Sequence, residues 1–187
     1  MQNREEDLVR IWKSLENVLN VLIRNNWGTT SVGGKYGEFY VAYQLLKYMP
    51  QLGNERENKN ADVYLKSIGK RVEVKWGRLN EDEFWGIWWG WGFGLGTQIN
   101  GDKFDFCVLL ASGKNGKPKH CFIMSLGEMK KLQPRYGGMP YNIKSYYLDF
   151  YEDYERACSK KTYVPDPLEK ELNQQPEKYD HQWTKIQ

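Results

Sequence analysis

The sequence predicts an α/β fold in which helices flank a mixed central β-sheet, in the order helix, strand, strand, strand, helix, behind an additional N-terminal helix. Three observations carry this. Apolar residues recur at helical spacing over two segments near the start of the chain; Arg71-Val72-Glu73-Val74-Lys75-Trp76 alternates polar and apolar residues in strict period two; and Phe104-Asp105-Phe106-Cys107-Val108-Leu109-Leu110 is an almost unbroken apolar run of strand length. At 187 residues the chain suffices for one well-buried domain and is short for two.

The first helix spans about residues 3–25. Asn3 and Glu6 form a capping pair, and Leu8, Ile11, Trp12, Leu15, Val18, Leu19 and Leu22 repeat at helical spacing behind them, as expected of a helix packed on the core sheet. The segment from Asn25 to Lys35 reads as an ordinary glycine-bearing connection whose amides and Lys35 could meet a phosphate. It is not a nucleotide-binding loop, because Thr29 stands where the first glycine belongs and Tyr36 replaces the required Ser or Thr.

A second helix runs from Lys35 to Met49. Tyr36, Phe39, Tyr40 and Tyr43 fall on one side of it and Val41, Ala42, Leu45 and Met49 on the other, with Glu38 inside that second stripe. An ionised carboxylate there needs a cation, because its desolvation costs several kcal/mol. A metal ion or Lys75 would serve; on a helix surface Lys35 or Lys47 would do the same.

Ala61-Asp62-Val63-Tyr64-Leu65 and the Glu73 run read as two strands of a hairpin joined by Lys66-Ser67-Ile68-Gly69-Lys70. Period two then places Val72, Val74 and Trp76 on one face and Glu73 beside Lys75 on the other, while Asp62 returns to the same edge. The apolar run from Phe104 is a strand buried on both faces, Asn115-Gly116 marks a turn, and Lys119-His120-Cys121-Phe122-Ile123-Met124 is its partner. Ser125 and Glu128 form a capping box that opens the next helix.

Between these strands lies Phe84 to Gly96, which holds four of the eight tryptophans among alternating glycines. Trp88, Trp89 and Trp91 could stack on bases or meet a second subunit, or the segment could plug the core; both readings stand equally. Beyond residue 133 a tyrosine-rich elaboration extends to 163, helical in part, and either covers the core or contacts DNA. Residues 164–187 hold Pro165, Pro167 and Pro176 with few aliphatics and are expected to form an extended or partly disordered tail. The domain expected is therefore 1–163, with its core at about 33–132.

Net charge is +3, but the last 24 residues carry three Lys against five Asp and Glu, which leaves +5 on the rest. That excess permits a polyanionic partner. Three cysteines without paired spacing and only two histidines argue against a disulfide framework or a zinc site. A lone His120 beside a turn reads as a surface residue. No signal peptide or long apolar span is evident, so the protein is expected to be intracellular, in the cytoplasm, with no membrane partner.

Glu38 on a helix, Asp62 opening a hairpin strand and Glu73-Val74-Lys75 on the next resemble the PD-(D/E)XK, or restriction-endonuclease-like, nuclease superfamily over about Gly33 to Leu126. One departure is Ala61, where the family carries a proline. The resemblance implies that Asp62, Glu73 and the Val74 carbonyl bind Mg²⁺, with Mn²⁺ substituting, that Glu38 binds directly or through water, and that Lys75 orients the attacking water. It gives Gln98 an auxiliary polar contact, and Lys35 and Arg78 are further candidate nucleic-acid contacts. The implied function is metal-dependent DNA endonuclease activity of restriction or homing type, in a homodimer or higher even oligomer. The alternatives are a Holliday-junction-resolving nuclease and an inactive nucleic-acid-binding protein on the same fold.

Overall fold

The computed structural model describes residues 2–25, 28–49, 54–55, 61–79, 90–96, 98–133, 135–136, 144–160 and 166–186. Helix α1 (Gln2–Arg24) bears Glu5 in its first turn and Arg24 in its last, charges that complement the helix dipole. It lies on α2 (Thr30–Tyr48), where the Trp12 ring meets Tyr36, Tyr40 and Tyr43 at centroid distances of 6.2, 6.1 and 6.0 Å.

Helix α2 starts five residues before the Lys35 expected from periodicity, so Gly33 and Gly34 lie inside a helix and not in a connection. Close packing explains Gly33. A Cβ there would stand 2.3 Å from the Trp76 ring, and one on Gly37 3.2 Å from Leu110 Cδ1, so only glycine lets the helix lie this near the sheet.

The central sheet has the order β1-β2-β3-β5-β6, with four principal strands and a two-residue β1 (Asn54–Glu55) at its edge. Strand β2 (Val63–Leu65) pairs antiparallel with β3 (Lys70–Arg78) across a turn in which Gly69 takes φ +63°. β3 runs parallel to β5 (Phe106–Ser112), and β5 pairs antiparallel with β6 (Pro118–Ser125), so the sheet is mixed as expected. The Ser125 and Glu128 capping box forms and opens α3 (Leu126–Met129).

Both faces of this sheet are covered. Val72, Val74, Val108 and Leu110 pack with Val41, Ala42 and Leu45 of α2, whereas Cys107, Leu109 and Ala111 pack with a second, three-stranded sheet. That sheet has the order β4-β8-β7, formed by β4 (Gly90–Gly96), β7 (Arg135–Tyr136) and β8 (Lys144–Tyr151). In β4 the glycines alternate with Trp91, Phe93 and Leu95, all buried. Period two thus turns an odd composition into an inward aromatic stripe.

Trp91 is fully buried and its indole donates to the Ser112 carbonyl at 2.7 Å, so it is core and not the base-stacking residue considered from sequence. Residues 144–151, read from sequence as helical in part, are strand; the helix comes later, as α4 (Tyr154–Lys160). Phe150 of β8 packs on Trp91 and Phe122 at 5.5 and 4.6 Å, which makes the elaboration a cover for the core. Tyr146, Leu148 and Phe150 on alternate positions outweighed local helical spacing here.

The expected tail is also structured. Asp166 caps α5 (Pro167–Gln174) by accepting from the Leu168 amide at 2.9 Å, and it also accepts from the Gln133 amide at 2.7 Å. Leu168, Leu172, Tyr179, Trp183 and Ile186 are buried, and the Tyr179 carbonyl accepts from the Ile123 amide at 3.0 Å beside a bridge between Phe122 and Asp180. The last described residues therefore close the β6 edge, and the domain runs on to Ile186. Few apolar side chains suffice when each one lands in the core. Among the described residues, no helix is long and apolar enough to cross a membrane.

Candidate active site

The site forms at the start of β2, where β3 runs on past the last residue that β2 pairs with. The pairing of Val63 with Val72 sets Asp62 across from Glu73, one residue beyond the last ladder pair. The Asp62 Oδ2 there accepts the Val74 amide hydrogen at 2.8 Å. In an extended strand the amide and carbonyl of one residue point to the same neighbour, so the Val74 carbonyl also faces this edge.

Glu73 is 7% exposed, and Lys75 Nζ lies 2.6 Å from its Oε1. Their alternation is as expected, but the face is not solvated. A Cβ on Gly77 would stand 3.1 Å from Phe93, so residues 73, 75 and 77 look towards β4, whereas Val74 and Trp76 look towards α2. Glu73 is thus buried and Lys75 half-buried, so their attraction is screened less than between fully exposed groups.

Glu38 is buried on α2, as its place in the apolar stripe required. Its cation is Lys35, one turn earlier, whose Nζ lies 2.9 Å from both carboxylate oxygens. Of the cations that the sequence offered for Glu38, Lys35 is thus in contact with it, while Lys75 lies against Glu73. Lys35 itself remains largely exposed, with its charged end near water and its partner in the protein.

Asp62 lies between the two faces. Its carboxyl is pushed up to about 6, first by burial and then by the negative charge of Glu73, with Glu38 adding to the rise and the Val74 amide and Lys75 opposing it. Four of the residues singled out from sequence therefore share one electrostatic environment. A carboxylate made costly in this way is one that a cation would favour.

The donors fit a hard divalent ion that keeps several waters better than they fit a closed cage. Asp62 and Glu73 each retain one carboxylate oxygen without a hydrogen bond among the described residues, and the Val74 carbonyl adds a neutral oxygen. Among the described residues no three His, Cys, Asp or Glu side chains form a ready ligand set. Magnesium is held elsewhere by one or two carboxylates with water completing the shell, which this edge can supply.

Other candidates are placed differently. Arg78 ends β3, in register with Ser112, and is half-buried. Gln98 opens the turn Gln98–Gly101 after β4. Trp88 and Trp89, like the acidic Glu81, Asp82 and Glu83, lie outside the described residues. His120 is half-buried: Asp180 Oδ2 lies 3.0 Å from its Nδ1, and its ring stacks on Phe122 at 5.4 Å.

Two further residues support the site: Asp105, to which the sequence reading gave no role, and Cys107, read as a small strand residue. Asp105 accepts from the Arg71 amide at 2.8 Å and from Arg71 Nε at 3.1 Å, which ties the start of β3 to β5. Cys107, aligned with Glu73 in the parallel register, is fully buried with its thiol pushed far up by that burial, so it fills space beneath the site and is no nucleophile. Both depend on strand register, for which one sequence gives no local signal. No protein-family model matches the chain, and no curated protein matches it.

Proposed function

We propose that this chain is a metal-dependent nuclease of the PD-(D/E)XK class that hydrolyses DNA phosphodiester bonds with Mg²⁺ or Mn²⁺. The observation that carries the reading is Asp62 fixed on the Val74 amide opposite the Glu73 and Lys75 pair, with its carboxyl raised to about 6. Asp62, Glu73 and the Val74 carbonyl would hold the ion, and Glu38 would reach it through water. A divalent ion there supplies charge against the phosphate and makes bound water more acidic.

Lys75 does the positioning on the protein's side. Its ammonium needs only to pass one hydrogen bond from Glu73 to a water for that water to stand beside the carboxylates. DNA is the proposed partner, with restriction or homing cleavage favoured and junction resolution the alternative within the class. A two-fold assembly would let two such sites address both strands.

A second reading has an observation in its favour. Glu73 with Lys75 and Glu38 with Lys35 are both neutralised within the protein, which a nucleic-acid-binding protein without turnover would also show. Incubation of the purified chain with duplex, single-stranded and four-way-junction DNA in Mg²⁺ or Mn²⁺ separates the two. Cleavage of any of them, abolished by EDTA, supports the nuclease; binding without cleavage in either metal supports the alternative.

A further inference from the structure

Helix α1 carries more apolar surface than its contacts with the domain use. Leu8 and Leu19 are buried and Trp12 packs on α2, while Leu19 and Ile23 lie against the turn at Gly116, where a Cβ would stand 2.9 and 3.0 Å from them. Ile11, Leu15, Val18 and Leu22 follow one another at alternating four- and three-residue steps, about 80° round the helix from that inner stripe at about 100° per residue. This second seam is partly open: Ile11 is 37%, Val18 48% and the flanking Val21 50% exposed, while Leu15 and Leu22 are half-buried. A 3.5-residue repeat is the pattern of helices that pair along their length.

We propose that this seam is the interface with a second copy of the chain, as an antiparallel pair of α1 helices. A two-fold axis between Glu16 and Asn17 sets Ile11 against Leu22 of the second copy and Leu15 against Val18, so the seam is complementary to itself. The side that would be covered from Ile11 to Asn25 carries no charge, which disfavours a polyanion as its occupant.

Its polar groups are already satisfied. Ser14 Oγ donates to the Arg10 carbonyl at 2.8 Å and Asn25 Nδ2 to the Val21 carbonyl at 2.8 Å, so burial strands neither donor. Direction follows from charge. Parallel pairing would set Asp7 beside Asp7 of the second copy, whereas antiparallel pairing parts them by about 28 Å and opposes the helix dipoles.

Two helices in contact over about four turns bury an area at the low end of specific interfaces, below about 1,200 Å², so micromolar dissociation is expected. Sedimentation equilibrium of the full chain from about 1 to about 200 µM should show a reversible monomer and dimer. Val18→Glu, on an exposed position, should weaken the dimer by about 100-fold or more with circular dichroism and Tm unchanged. In a Cys158→Ser background, Ile11→Cys chains mixed with Leu22→Cys chains should cross-link on mild oxidation, while Ile11→Cys alone should not. A wild type that stays monomeric, a dimer indifferent to Val18→Glu, or self-linking of Ile11→Cys overturns the proposal.

Discussion

Asp62 and Val74 are joined side chain to main chain across 2.8 Å at the point where β2 stops pairing with β3. That hydrogen bond fixes an acidic side chain at an edge where Glu73 stands opposite and burial already disfavours charge. Such a contact keeps the acid in place at a cost to stability, a common feature of sites kept for chemistry and not for packing.

The cost predicts a pH dependence. The folded carboxyl is pushed up to about 6 against an ordinary 3.8, so the folded state binds the proton more tightly, and the contribution of Asp62 to the stability of the metal-free protein should fall as pH rises from about 4 to about 6 and then level off. Because Asp62 is partly exposed, the loss should be on the order of 1 kcal/mol. Asp62→Asn keeps an acceptor for the Val74 amide and should remove this slope, leaving the variant at least as stable as wild type at pH 8. Urea unfolding of both proteins across that range tests it, and parallel slopes would sink the assignment.

The two adjacent glycines of α2 should respond oppositely. Gly33→Ala drives a methyl into the Trp76 ring 2.3 Å away and should cost about 1–3 kcal/mol, whereas Gly34→Ala meets nothing within 4 Å and should gain about 0.5–1 kcal/mol of helix propensity. Denaturation midpoints of the pair check this directly. Equal effects would mean that the helix does not lie on Trp76 as described.

The C-terminal segment should matter to stability out of proportion to its composition. Leu172→Ala removes a fully buried side chain and should cost about 2–5 kcal/mol, and Asp166→Ala, which removes the cap of α5, about 1–2 kcal/mol. A dispensable arm would tolerate both. Thermal unfolding of the two variants distinguishes an integral segment from an appendage.

Where the signal was local, sequence was a good guide. The alternation around Glu73, the Gly69 turn, the Ser125 and Glu128 cap and the apolar β5 each depend on neighbours a few residues apart, and each formed as expected. Glu38 was legible too, because a lone acid in an apolar helix stripe marks burial whatever its partner. Lys35 was among the partners its spacing allowed, but ranking it against Lys75 depends on which face of β3 the helix covers. Gly33 read as a loop residue because its reason lies 43 positions away in Trp76. Residues 166–186 read as a tail because composition averages over a segment, while the core counts where single side chains land.

Whether Glu73 makes this edge a metal-dependent phosphodiesterase is decided by nicking of supercoiled plasmid by wild type and Glu73→Gln in Mg²⁺. Wild type should nick in an EDTA-sensitive way, and Glu73→Gln about 100-fold or more slower, with its fold intact by circular dichroism. Equal nicking by the two proteins, or none by wild type in Mg²⁺ or Mn²⁺, would contradict it.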